Sequence, residues 1–489
     1  MDKDTSEGGI GMTRGKVLDA LHAIYTENMW VDTLTYEKAV EKILHEDIDG
    51  DKLFESFHSA ADGLRKRFER PLKRGLDWAP YYACLKHVFL AASQDEIVIA
   101  PRYSCQRLTG CFRVEIASLY NYCFAIGDNY EPFTAVVSAN NNQIAIPYFF
   151  EAEDQYLVKV FIRLADNSEI LLLSTSVYAV DQDLYSLNYY KADFHMHTTY
   201  SDGIEEPQIT AADARRSGMD IIAITDHNQI RGSMKARKLM KEAGANMTVI
   251  LGEEYSLEYS PMHILSYGLD EEVDRRYLMR WIENSDEIKK YANDDVRCDP
   301  VAYACTQVLL EKVHELGGIS ILAHPYWKPP ITTGGRIDTP EQLFLDLSKR
   351  RQFDGVELVS GSPYGNCSTS ALQHLLVREM LGSVDGIPVI GITDSHTHSI
   401  DPISGKHFTV VFARTRNEAD VLDALRAGRC VAVEQNDKDS VVYGTLRYSK
   451  FAYFLLSNYF PARDRIAERE GLQLLESYMN PDVLDSLAH

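Results

Sequence analysis

The stretch Tyr190–Gly203, YKADFHMHTTYSDG, ends a strand-like run in two histidines at alternate positions and then opens into a polar, glycine-containing turn. Side chains alternate between the two faces of a strand, so His195 and His197 point the same way. Two imidazoles offered together, with Asp202 close behind, are what a metal site needs. The rest of the chain decides whether they serve one.

Beyond Lys191 the sequence alternates strand and helix. DIIAITDH (220–227), MTVILGEE (247–254), GISILAHP (318–325), FDGVELVSG (353–361) and IPVIGITDSH (387–396) are apolar runs. Most are separated by helical patterns such as AADARRSGM, RGSMKARKLMKEAG and TPEQLFLDLSKRR. Alternation of this kind predicts parallel β/α units, and a barrel is their natural closure. In such barrels the chemistry sits at the carboxyl ends of the strands. The runs here end in His195 and His197, Asp226 and His227, Glu253 and Glu254, His324, and Asp394 and His396.

Nine of the fifteen histidines fall between His195 and His398, and most of them stop an apolar run. His314 and His374 sit in helical patterns instead and read as structural. So many imidazoles and carboxylates converging without an ion would be costly to desolvate. Metal binding is the expectation.

The remaining sequence sets the context. At 489 residues, about three domains is the length prior. Composition is 45% hydrophobic and 25% charged, as in globular proteins, and no apolar run reaches the length of a membrane span. A formal charge of −22 disfavours broad binding to nucleic acid, which needs clustered Lys and Arg. The eight cysteines form no CxxC pair, and MDKDTSEGGIGMTRGK lacks a secretory apolar region; reduced thiols in a cytoplasm are expected.

Residues 1–93 read as a helical N-terminal region, from apolar spacing in GKVLDALHAIY and DKLFESFHSAADGLRKRF. Residues 94–189 hold short β-branched and aromatic runs, DEIVIA to EILLLSTSVYAV, and predict a sandwich-like antiparallel domain. A barrel over 190–440 and a helical tail over 441–489 complete the division. The β-rich region runs into the barrel without a Gly/Ser linker, so rigid packing is expected there.

Residues 191 to about 400 resemble the PHP (polymerase and histidinol phosphatase) family. HMHTTYSDG is similar to its first motif, AITDH to the second and GEE with MHILSYG to the third; AHP and TDSH carry the remaining ligands. The resemblance implies an α/β fold, a distorted, TIM-like, seven-stranded β/α barrel around two or three divalent ions (Mn, Zn or Fe). It implies one ion on His195, His197, Glu254 and Asp394, a second on the bridging Glu254 with His263 and His324, and a third on Asp202, His227 and His396. His263 begins its apolar run rather than ending it, so pattern alone does not place it.

The expected function is a metal-dependent phosphoesterase acting on a small phosphate monoester or nucleotide. Paired ions about 3.5–4 Å apart activate a bridging hydroxide for in-line attack. His398 and Asp226 are candidate acids by placement, although an aspartate there more often orients a ligand imidazole, and Glu357 could do likewise. Arg231 and Lys328 are candidate phosphate contacts, and Tyr326, Trp327 and Tyr364 could stack on a base. An amidohydrolase is the competing enzyme class. The third reading is a non-catalytic, metal-stabilised scaffold bearing a β-rich binding module.

Overall fold

The computed structural model of the chain describes residues 82–102, 108–119, 132–163, 168–256, 262–273, 296–325, 341–350, 352–360, 387–400, 404–435 and 439–479. The helices expected over residues 1–81 lie outside these, as do Tyr326, Trp327, Lys328, Tyr364 and His374. The end of that helical segment is corrected: Tyr82–Cys84 (β1) and Val88–Leu90 (β2) are strands. Their short aromatic and apolar runs are satisfied by pairing, β1 lying antiparallel to residues 99–101.

The chain divides into two compact units. The first takes residues up to Lys86, Ser93–Phe150 and Asp154–Val177. In it β1, β3 (Ser93–Pro101) and β6 (Ile144–Phe150) form one sheet, in the order β1-β3-β6. β4 (Cys111–Ser118), β5 (Phe133–Ser138), β7 (Asp154–Arg163) and β8 (Glu169–Val180) form another, in the order β8-β7-β4-β5. Period-two burial of Phe112, Val114 and Ile116 gives β4 one inner face. Rings from the two sheets meet edge-on, Tyr148 with Phe133 at 5.2 Å and with Tyr156 at 5.7 Å.

The second unit takes His87–Ala92, Glu151–Glu153 and everything from Tyr178. It is built on β9 (Asn188–Asp193), β10 (Ile221–Ile224), β11 (Thr248–Tyr255), β12 (Ile264–Tyr267), β13 (Ile319–Leu322), β14 (Gly355–Val359) and β15 (Val389–Gly391). β16 (His407–Ala413), β17 (Cys430–Gln435) and β18 (Ser440–Tyr443) continue the same ten-stranded sheet beyond β9. The sheet curls until the segment after β15 comes back against the segment after β9. Asp394 N–H donates to the His195 carbonyl at 3.0 Å, and His197 N–H to the Ser395 carbonyl at 2.9 Å.

β9-β10-β11 and β13-β14-β15 are parallel, as the strand–helix alternation predicts. β12 differs, because it is antiparallel to both β11 and β13. No crossover helix is needed between β11 and an antiparallel partner. The reversal puts the start of β12 beside the carboxyl ends of its neighbours, with Ile264 opposite Tyr255 and Leu322. That is why His263, at the head of its run, reaches the same end of the sheet as the other candidate ligands.

Inside the curl Phe194, Ile221, Ala223, Ile250, Leu265 and Ile321 are fully buried. Burial of each large aliphatic is worth about 1.5–3 kcal/mol. Outside lie α1 (Gln182–Tyr185), α2 (Pro207–Arg216), α3 (Arg231–Glu242), α4 (Pro300–Glu315), α5 (Glu341–Arg350) and α6 (Glu418–Arg426). The C-terminal α7 (Leu446–Asn458) and α8 (Phe460–Met479) belong to the same unit. Arg215 on α2 pairs with Glu470 at 2.9 Å, and buried Lys191 reaches Asp464 at 3.2 Å. A Cβ at Gly471 would come within 2.2 Å of the Arg216 nitrogen, so glycine allows that helix contact.

Candidate metal centre

Glu254, on β11, is buried to 1% exposure and meets imidazoles with both oxygens. Its Oε2 lies 3.1 Å from Nε2 of both His195 and His197, and 3.2 Å from His227 Nδ1. Its Oε1 lies 2.9 Å from His263 Nδ1 and 3.1 Å from His324 Nε2. Asp394 Oδ1 stands 3.2 Å from the same two Nε2 atoms, which are themselves 3.0 Å apart. Further out, Asp202 Oδ2 lies 3.2 Å from His396 Nε2 and 3.6 Å from His227 Nε2. All nine residues offered by the sequence meet at one end of the sheet.

The donor set fits a divalent ion. Four donors about 2.0–2.1 Å from one tetrahedral ion stand about 3.3 Å apart. His195 Nε2, His197 Nε2, Glu254 Oε2 and Asp394 Oδ1 are spaced 3.0–3.2 Å where measured, close to that value. Electrostatics agree. Burial would depress the His197 imidazole, but the hydrogen bonds it donates to Asp394 and Glu254 carry it up to about 9. Burial would raise Glu254, but the His195 and His263 charges hold its carboxyl well below the usual range. Such a pocket demands positive charge, as protons or as a cation.

Strand ends and turns bring the groups there. His195 and His197 continue β9, and the turn after them returns through Gly203, where a Cβ would meet the His197 carbonyl at 2.5 Å. Only glycine fits, which accounts for the SDG end of the opening stretch. His324 and Asp394 have φ of +25° and +50°, left-handed backbone that side-chain-bearing residues adopt at a cost of about 1–3 kcal/mol. Exposure grades outward: the His195, His197, Glu254 and Asp394 group is buried, whereas the Asp202 side chain is 53% exposed.

A second layer holds the first. Glu357 Oε1 accepts from His195 Nδ1 at 2.7 Å. Asp226 accepts from Thr198 N–H at 2.8 Å, Thr198 Oγ1 at 2.7 Å and Ser201 Oγ at 2.8 Å, all on the turn leading to Asp202. His398 is sealed from solvent, its Nδ1 2.9 Å from Asp213 on α2. Arg231 is exposed at the first position of α3, with its guanidinium 5.8 Å from the Tyr200 ring.

Sequence reasoning missed Asp193, Thr198 and Ser201. Asp193 accepts from Thr393 Oγ1 at 2.6 Å, and burial pushes its carboxyl up to about 6. It lies two positions before His195, so strand alternation could have found it. The hydroxyls carry no pattern. His314, read as structural, lies on α4 and bonds Asp354 at 2.8 Å. Ser320 Oγ joins both, but the serine and the aspartate share the one nitrogen Nε2, which is not a nucleophile's arrangement.

Residues 193–366 match the profile of the PHP domain. An uncharacterized protein of Methanocaldococcus jannaschii is 29% identical over 201 residues, 39% of this chain and 93% of that protein. A two-domain protein from Bacteroides vulgatus, containing a predicted PHP-like metal-dependent phosphoesterase, is 20% identical with a TM-score of 0.36. That similarity covers 51% of this chain and 66% of the other, a little under two thirds. An amidohydrolase from Chromobacterium violaceum, with bound sulfate and no metal, is 17% identical with a TM-score of 0.29, over 43% and 89% of the two chains.

Proposed function

We propose that the chain is a metal-dependent phosphoesterase that hydrolyses a small phosphate monoester or a nucleotide. The observation that carries the proposal is the double use of Glu254, whose two oxygens face two separate sets of imidazoles. In this reading His195, His197, Glu254 and Asp394 hold one ion, Glu254, His263 and His324 a second, and Asp202, His227 and His396 a third. β9 to β15 serve as a seven-stranded, distorted barrel. Divalent ions there would neutralise a phosphoryl oxygen and acidify a water for in-line attack.

The chain's own groups do the positioning. Glu254 and Asp394 supply the negative charge that keeps cations in a buried mouth. Asp226, with its acceptors taken by Thr198 and Ser201, clamps the turn that presents Asp202 and is better suited to that task than to proton transfer. The buried ring of His398, tied to Asp213, fits a supporting role as well. Arg231 is an exposed cation, and in this reading it contacts the phosphate group.

The described cysteines, Cys84, Cys111, Cys298, Cys305 and Cys430, are unpaired thiols, which supports a cytoplasmic location. Among the described residues no helix is long and apolar enough to cross a membrane.

The test is hydrolysis of a generic aryl phosphate with Mn²⁺, run beside an aryl amide and a chelated control. Turnover of the ester alone, abolished by chelator, is the expected result. Turnover of the amide alone would move the chain to the amidohydrolase class, and turnover of neither to a scaffold. A screen of phosphorylated metabolites and short oligonucleotides then identifies the substrate.

A further inference from the structure

We infer that Glu357 is the positioning residue of the centre: one carboxylate selects the ring nitrogen that His195 turns inward and also holds the left-handed turn that carries His324. The inference rests on the metal-binding reading above. Glu357 lies on β14 and is fully buried. The ladder between β14 and β15 shifts register between Glu357 and Val359, an irregularity of the kind that re-aims a side chain next to a site. Its Oε1 is 2.7 Å from His195 Nδ1, and its Oε2 is 2.6 Å from the His324 backbone nitrogen.

Both contacts require Glu357 to accept. A backbone N–H can only donate, so Oε2 is committed to His324. With Oε2 taken by that N–H, Oε1 is the oxygen left for the ring, and Nδ1 of His195 donates to it. A neutral imidazole has one N–H and one lone pair; with Nδ1–H engaged, the lone pair lies on Nε2. That atom is the one 3.0–3.2 Å from His197, Glu254 and Asp394. The opposite tautomer would aim a proton at the ion's position.

The second contact matters because His324 has φ +25°, where a non-glycine residue stays only when its surroundings enforce it. Glu357 thus ties the ends of β9 and β13, which carry ligands for two different ions. His197 is held less closely: its Nδ1 lies 3.3 Å from the Ser201 hydroxyl and 3.5 Å from the half-exposed Asp202 carboxylate. Glutamine at 357 is nearly isosteric but offers one carbonyl oxygen to two donors. Its NH₂ would face either Nδ1–H or the His324 N–H, and one of the two ligands must turn away.

Zn²⁺ is titrated into the full-length wild type and the Glu357→Gln variant against a chromophoric chelator. The His195 tautomer is read from long-range ¹H–¹⁵N spectra, assigned with His195→Gln. The expected results are an Nδ1–H tautomer in the wild type and a 10–100-fold loss of Zn²⁺ affinity in the variant, with the circular dichroism spectrum retained. An Nε2–H tautomer in the wild type overturns the inference, even if the variant does not fold. So does a folded variant that binds Zn²⁺ like the wild type. A wild type that binds no Zn²⁺ overturns the metal-binding reading instead, and the tautomer of the ion-free protein, read once rising pH has removed the second ring proton of His195, still judges Glu357.

Discussion

Gly232, at the second position of α3, shows how little room the clamp behind the centre allows. A Cβ there would come within 2.0 Å of Asp226 Oδ2 and 3.1 Å of Thr198 Oγ1. Because Asp226 holds Thr198 and Ser201, its displacement would loosen the turn that carries Asp202. Gly232→Ala is therefore expected to cost about 1–3 kcal/mol by overpacking. It should also lower the number of ions bound, starting with the exposed Asp202 set, while the buried set keeps its ion. Urea unfolding and elemental analysis check both, and an alanine variant with unchanged stability and ion content would sink the clamp. Seven of the nine candidate ligands were legible because they stop apolar runs; Asp202 was offered by its nearness to the two histidines, and His263 only by the family resemblance. Glu357 was visible only as a possibility, since the bend that re-aims it has no sequence signature. Thr198 and Ser201 were illegible, because a hydroxyl in a polar turn looks the same whether or not it holds a carboxylate.

At the scale of elements, alternating strands and helices were readable from apolar period, and α2, α3 and α5 lie where the pattern puts them. The direction of β12 was not, because a four-residue apolar run has no polarity. The segment ahead of α4 shows what holds elements in register. Asp346 on α5 accepts from the backbone N–H of Arg297 at 2.8 Å and Cys298 at 2.9 Å, and Lys349 Nζ lies 2.9 Å from its other oxygen. Burial alone would raise this carboxyl, yet Lys349 and those two N–H groups bring it down to about 2. A folded value below the unfolded one of 3.8 means stability present above pH 4 and lost as pH falls through 2. The contribution is about 2 kcal/mol at neutral pH. Asp346→Asn should lower unfolding stability by about that amount at pH 7. The gap to wild type should close between pH 4 and pH 2 in a urea series. A gap independent of pH would mean that shape, not charge, does the work.

For the molecule as a whole, the acidic balance of −22 and the buried mouth argue in opposite directions until an ion is considered. The buried imidazoles of His195, His197 and His324 and the Glu254 and Asp394 carboxylates are costly to desolvate, and left-handed backbone at His324 and Asp394 adds strain. A divalent ion that binds the folded centre and not the unfolded chain offsets those costs by mass action, about 2.7 kcal/mol when its concentration is a hundred times Kd. Mn²⁺ or Zn²⁺ is accordingly expected to raise Tm in thermal melts, and a chelator to reverse the rise. Because ligating imidazoles must be deprotonated, the rise should shrink as the buffer is taken from pH 8 to pH 5.5. Glu254→Ala supplies the control, since it removes the group common to both imidazole sets and should abolish the shift. If the metals raise Tm equally in that variant, they act elsewhere on this acidic chain, and the convergence at Glu254 is not their site.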